Sequence, residues 1–172
     1  MRIRRRSESG QAFIEFTFVV LMLIIMLFGL IDFGRAIYEH EVLTNLSREG
    51  ANLASRNTSL ASAAAAVVAD SSLNLGGSNG FVIVSSVSTS NNGLDYVTDQ
   101  ATAGQLNGLS SKVGLKGGQA TVPVENPPIP GSNGTLYVAE VYYTYTPITP
   151  LPSLLHITMT KQLYDAAYFV GF

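Results

Sequence analysis

Glu15 stands five residues after Gly10, one turn inside a long apolar run, and these two residues with Gln11 and Phe16 concentrate the chemistry this sequence offers. Across residues 16–31 there is no charge, and Thr17 is the sole polar side chain. A carboxylate placed there costs on the order of a few kcal/mol to insert in a bilayer unless it is paired or near the interface. Two readings fit: a glutamate at headgroup depth, or one met by an opposite charge.

Other chemistry is thin. The chain has no cysteine, which removes disulfides, thiol catalysis and Cys-based metal sites together. His40 and His156 are the two histidines, and neither has a second set of ligands around it in sequence, so surface or packing roles are expected. The acidic residues are scattered without calcium-loop spacing. No GxSxG, P-loop or dinucleotide fingerprint occurs. No catalytic residue, cofactor site or metal site is therefore assigned, and no enzyme is expected.

The element that must position Glu15 is a membrane helix. About 20 helical residues from Gln11 onward cover ~30 Å, the hydrocarbon thickness of a bilayer, with the span at about residues 12–31. Arg2, Arg4, Arg5 and Arg6 precede it and form a basic anchor that holds this end in the cytoplasm and sends the remainder across. The apolar core is longer than that of a secretory signal and no A-x-A site follows, which favours a retained anchor. Asp32 and Arg35, three apart at the membrane exit, fit a local pair or interfacial charges. Gly29 and Gly34 fit either close helix packing or tolerated glycines.

The helix continues to about Arg56. Ala36, Leu43, Leu46, Gly50, Leu53 and Ala54 share one side, while Glu41, Asn45, Arg48 and Asn52 share the other; Glu39 falls on the apolar side as an exception. A break at Asn57-Thr58-Ser59 predicts a cap for a second, Ala-rich helix over residues 60–75, ended by Gly76-Gly77. Phe81-Val82-Ile83-Val84 predicts a short buried strand. Residues 85–118, rich in Ser, Asn, Gly and Thr, predict surface loops with one short helix near residues 98–109. Asn126-Pro127-Pro128-Ile129-Pro130-Gly131 predicts an extended connection.

The clearest strand follows, with Tyr137, Ala139, Val141, Tyr143 and Tyr145 on one face and Glu140, Thr144 and Thr146 on the other. Pro147 and Pro150 end it, and Ile157, Met159 and Leu163 alternate with polar residues as a second strand beside it. The apolar stretch at residues 168–172 fits packing on the sheet or a subunit contact. The fold class expected is α+β: a long N-terminal transmembrane and amphipathic helix, then a small domain with a second helix and a short antiparallel sheet.

Charged residues make up 13% of the chain and the formal net charge is −2. Cutting after Gly10 removes four arginines and one glutamate and takes the net charge to −5, a poor profile for binding nucleic acid.

The arginines, Gly10 and then Glu15-Phe16 opening an apolar helix resemble a prepilin processing site. Together with Phe28-Gly29-Leu30-Ile31-Asp32-Phe33-Gly34-Arg35 and Asn45-Leu46-Ser47-Arg48-Glu49-Gly50-Ala51, the first third of the chain is similar to the TadE-like family of minor pilins or pseudopilins of tight-adherence (Tad/Flp, type IV pilin-like) pili. That resemblance implies a basic leader at residues 1–10, a pilin-like helix at 11–56 and an exported α+β domain at 57–172. It implies cleavage between Gly10 and Gln11 by a prepilin peptidase at the cytoplasmic face. Glu15 then attracts the terminal amine of a neighbouring subunit, with Phe16 where the family often has Tyr. The implied partners are membrane lipid, the peptidase, other pilin subunits and the assembly machinery, with adhesion to an unidentified surface receptor. The implied location is the inner membrane as a single-pass protein, and the pilus or cell surface after assembly. The alternative is a permanently anchored single-pass protein whose exported domain binds a ligand; an anchored hydrolase is a distant third.

Overall fold

One unbroken helix, α1 (Arg5–Ser55), carries the apolar run straight into the amphipathic stretch. The computed structural model describes residues 5–90, 93–122, 134–156 and 162–171. Arg2 and Arg4 lie outside the described residues, as do the side chains of Arg5 and Arg6, the Pro-rich connection at 126–131 and residues 157–161. The described residues separate into two compact units, one within 1–37 and 146–159, the other within 38–145 and 160–172.

In the first unit the apolar side chains of α1 stand in the open. Phe13 is 71% exposed and Leu30 70%. This is a helix long and apolar enough to cross a membrane by length and composition. Asp32 is buried and accepts hydrogen bonds from the backbone amides of Ile148 (3.1 Å) and Thr149 (3.2 Å) and from the Thr149 hydroxyl. These ties reach residues more than a hundred positions away, and the Arg35 charge acts on the same carboxylate. Gly29 lies against Leu151, whereas Gly34 faces open space. A short helix, α3 (Leu151–Leu155), starts after Pro150 and ends at His156 in the left-handed conformation.

The second unit is a four-stranded antiparallel sheet with helices on one face. Its strands are β1 (Gly80–Thr89), β2 (Asp95–Gly104), β3 (Thr135–Thr144) and β4 (Gln162–Val170), in the order β2-β1-β3-β4. Leu43, Leu46, Ala51 and Ala54 of α1 pack with Ala63, Ala64 and Val67 of α2 (Leu60–Asp70) on Val82, Val84, Ala139 and Val141. The apolar face foreseen for residues 43–54 is the buried one, and Glu39 is buried with it. Gly50 sits at the closest approach: a β-carbon there would stand 2.7 Å from Val67 Cγ2 and 3.1 Å from Ala139 Cβ. A smaller core on the other sheet face joins Val87, Val97, Leu136 and Val138 to Val113.

Several elements differ from the sequence expectation. Ser59 caps α2 by accepting the Ser62 amide, as foreseen. However, α2 ends at Asp70, before Gly76-Gly77, because Ser71 is extended and its hydroxyl takes the Leu73 amide. Leu75 is nevertheless fully buried, which is why its apolar character resembled helix continuation. β1 runs on to Thr89, since Ser85 and Ser86 find partners in Gln100 and Thr98.

Within the stretch 85–118 expected as loops, residues 95–104 instead form β2, which also replaces the short helix expected near residues 98–109, whereas residues 105–118 are loop and turn as expected. Val97 is the one fully buried residue of β2, so ladder hydrogen bonds to β1, not an apolar face, make it a strand. Gly104, at φ +99°, lets it turn away where a β-carbon would strike the Gly80 carbonyl. The second C-terminal strand does lie beside β3, but its described part begins at Gln162. Tyr168, Phe169 and Val170 belong to that strand.

Candidate functional site

Gly10, Gln11, Glu15 and Phe16 lie on consecutive turns of α1, and all four are exposed. Nothing lies within 4 Å of where a Gly10 β-carbon would stand. The backbone at Gly10 is helical, whereas a protease cleft needs it extended. Glycine in a helix interior is about 1 kcal/mol worse than alanine, which cheapens local unwinding there. The Gln11 side-chain amide donates to Glu15 Oε1 at 3.0 Å, one turn apart. Thr17, the lone hydroxyl of the run, is satisfied by the Phe13 carbonyl at 2.9 Å. Phe13, Ile14, Thr17, Phe18 and Leu21 border an open apolar cleft of about 350 Å³ on this helix surface.

What this arrangement can do is associate. A helix with most of its large apolar side chains exposed is stable once lipid or other helices cover them. Within such a cover a carboxylate selects a cationic neighbour, because a lone buried charge is costly and a paired one much less so.

A second polar cluster escaped the sequence reading. Glu140, in the middle of β3, is 0% exposed. Its Oε1 accepts the Lys112 amide (2.8 Å), the Tyr164 hydroxyl (3.1 Å) and the Tyr142 hydroxyl (3.2 Å), and its Oε2 accepts the Ser111 hydroxyl. The Tyr142 hydroxyl also lies 3.1 Å from the Ser110 carbonyl. The Lys112 ammonium sits 3.3 Å from the centroid of the Tyr164 ring. Burial first, and the Glu140 carboxylate second, push the phenols of Tyr142 and Tyr164 well above their ordinary value of 10.0. Both oxygens of Glu140 are spent on holding residues 110–112 and β4 to β3, so the cluster fastens the sheet. The available signal was a charge set among Val138, Ala139, Val141 and Tyr142, where the strand reads as buried on both faces.

His40 and His156 are exposed and far apart in sequence. Among the described residues, no group of three or more His, Asp or Glu side chains is placed to hold a metal ion.

Comparison with curated proteins found no match, and neither did comparison with solved structures. Residues 10–52 match the family model described as TadE-like protein, and it is this family that the helix from Gly10 to Gly50 resembles.

Proposed function

We propose that this chain is a TadE-like minor pilin, made as an inner-membrane precursor and cut after Gly10 by a prepilin peptidase. The observation that carries the reading is the family match, which begins at Gly10 and takes in Glu15, Phe16 and the turns of α1 that pack on the sheet. The exposed apolar surface of α1 supports it, since that surface has a use once other pilin helices replace lipid.

In this reading the arginines of residues 1–10 keep the scissile bond at the cytoplasmic face, and residues 12–31 span the membrane. Cleavage exposes the α-amine of Gln11. Glu15 of one subunit meets the amine of the next, setting register between helices more than adding stability. Residues 57–172 form the exported domain, which serves initiation, capping or adhesion in a Tad/Flp-type pilus.

The test is intact-mass analysis of the protein from membranes, comparing wild type with Gly10→Ala. A species starting at Gln11, absent in the variant, is the expected result. Wild type that keeps residues 1–10 in cells that process their other prepilins overturns the proposal in favour of a permanent anchor. A mature species beginning with pyroglutamate overturns the amine pairing while leaving processing intact.

A further inference from the structure

The two edges of the sheet are treated differently. The outer edge of β2 is covered over Asp95–Val97 by the segment that follows it: Gly117 donates to the Val97 carbonyl (2.8 Å), Val97 to that of Gly118 (3.0 Å) and Ala120 to that of Asp95 (2.8 Å). At β4 no such cover occurs among the described residues. The register fixes which backbone groups are affected. Gly171 donates to the Thr135 carbonyl, and Leu136 pairs with Val170, so every odd-numbered residue of β4 exchanges hydrogen bonds with β3. The other side of β3 agrees, because the Thr144 amide, of even number, points to β1's side and Asn79. The amides and carbonyls of Tyr164, Ala166, Tyr168 and Val170 therefore face outward. Nine residues long and without Pro, Lys or Arg, this strand has Asp165 as its one charged residue, and that side chain is engaged by Ser47.

Each face beside this edge carries a hollow. On the α1 side, a cleft of about 270 Å³ is bordered by Thr44, Arg48 and residues 165–169. On the opposite side, a mainly apolar cleft of about 350 Å³ is bordered by Lys112, Thr121, Tyr164 and Tyr168. A strand laid against an edge sends alternate side chains to opposite faces, so one added strand would fill both hollows.

We propose that the outer edge of β4 docks an extended segment of a partner protein whose side chains are acidic towards α1 and apolar towards Tyr164 and Tyr168. Charge decides the first half. Arg48 is exposed, makes no ion pair among the described residues and borders the α1-side hollow. Asp165, in the same hollow, is already engaged by the Ser47 hydroxyl at 2.5 Å. The tyrosine rings and the stem of Lys112 decide the second half. A second copy of β4 is a poor occupant, because its α1-facing side chains are committed: Leu163, Ala167 and Phe169 to the core and Asp165 to Ser47. The inference stands whether or not the chain is cut after Gly10.

The experiment uses the full chain in detergent micelles and a fluorescent, end-blocked heptapeptide of alternating Val and Glu, read by anisotropy. The expected result is saturable binding, about tenfold weaker when Lys replaces Glu, with that preference reversed by Arg48→Glu. Ala166→Pro removes one outward amide without touching the ladder to β3, so it is expected to abolish binding while circular dichroism stays unchanged. Should that variant misfold, a peptide N-methylated on alternate amides makes the same test from the other side. Equal binding of the Lys peptide overturns the proposal, as does binding indifferent to both Ala166→Pro and N-methylation. Absence of binding up to ~1 mM peptide overturns it as well. A peptide-free dimer that disappears in Ala166→Pro assigns the edge to a second copy and overturns the choice of occupant.

Discussion

Gly50 and Val67 meet with no room between them: a β-carbon on the glycine would stand 2.7 Å from a Val67 methyl. The absence of a side chain at Gly50 is what lets α1 settle against α2 and Ala139 at once. Gly50→Val is therefore expected to destabilise the fold by about 1–3 kcal/mol through overpacking. Adding Val67→Ala to that variant is expected to recover part of the loss, and a double-mutant cycle by urea denaturation reads the coupling. Strict additivity of the two changes would contradict the contact.

Glu140 supports a prediction about the face opposite the helices. Removing a buried carboxylate that accepts four hydrogen bonds leaves its donors stranded, so Glu140→Ala is expected to cost about 3–5 kcal/mol. Glu140→Gln, which keeps an acceptor oxygen, is expected to cost less. The local signature is early proteolysis within residues 105–122 and loss of hydrogen-exchange protection at the Lys112 amide.

The same cluster sets a response to alkali. Tyr142, Tyr164 and Tyr168 all have phenols raised above 10.0, with burial the largest cause for each. A raised value means the folded state holds its proton while unfolded tyrosines give theirs up. Stability is thus complete below about pH 10 and declines as pH climbs beyond it. Urea midpoints measured from about pH 8 to about pH 11 are expected to fall, and Tyr142→Phe with Tyr164→Phe is expected to flatten that fall.

Asp32 makes a separate, local prediction. Two amides and one hydroxyl converge on it, so Asp32→Ala is expected to free residues 148–149 at a local cost of about 1–3 kcal/mol. Faster hydrogen exchange at the Ile148 and Thr149 amides, with the Lys112 amide unchanged, is the measurement that checks it.

The sequence was legible wherever side-chain periodicity and burial coincide. α1, the Ser59 cap and β3 announce themselves because apolar residues recur at the spacing of the buried face. β2 hides because Thr98, Asp99, Gln100 and Thr102 are polar and its stability comes from backbone pairing with β1. The bulge at Ser86 and Val87 disrupts its register further, setting Asp99 opposite Ser86 but Val97 opposite Val87. The end of α2 was hidden by Leu75, whose burial belongs to a turn. Of the candidate residues, Glu15 is conspicuous because the run around it is so uniform. Glu140 is not, since nothing local to β3 foretells partners at Ser111, Lys112 and Tyr164.

The Ser47–Asp165 hydrogen bond joins positions 118 residues apart, and β4 follows every other strand in the chain. During synthesis α1 and β3 must therefore wait, half covered, until that late strand arrives to shut the core. Closure is a terminal event, and a nascent polypeptide halted ahead of Gln162 leaves β3 as a raw margin for chaperones and proteases to find.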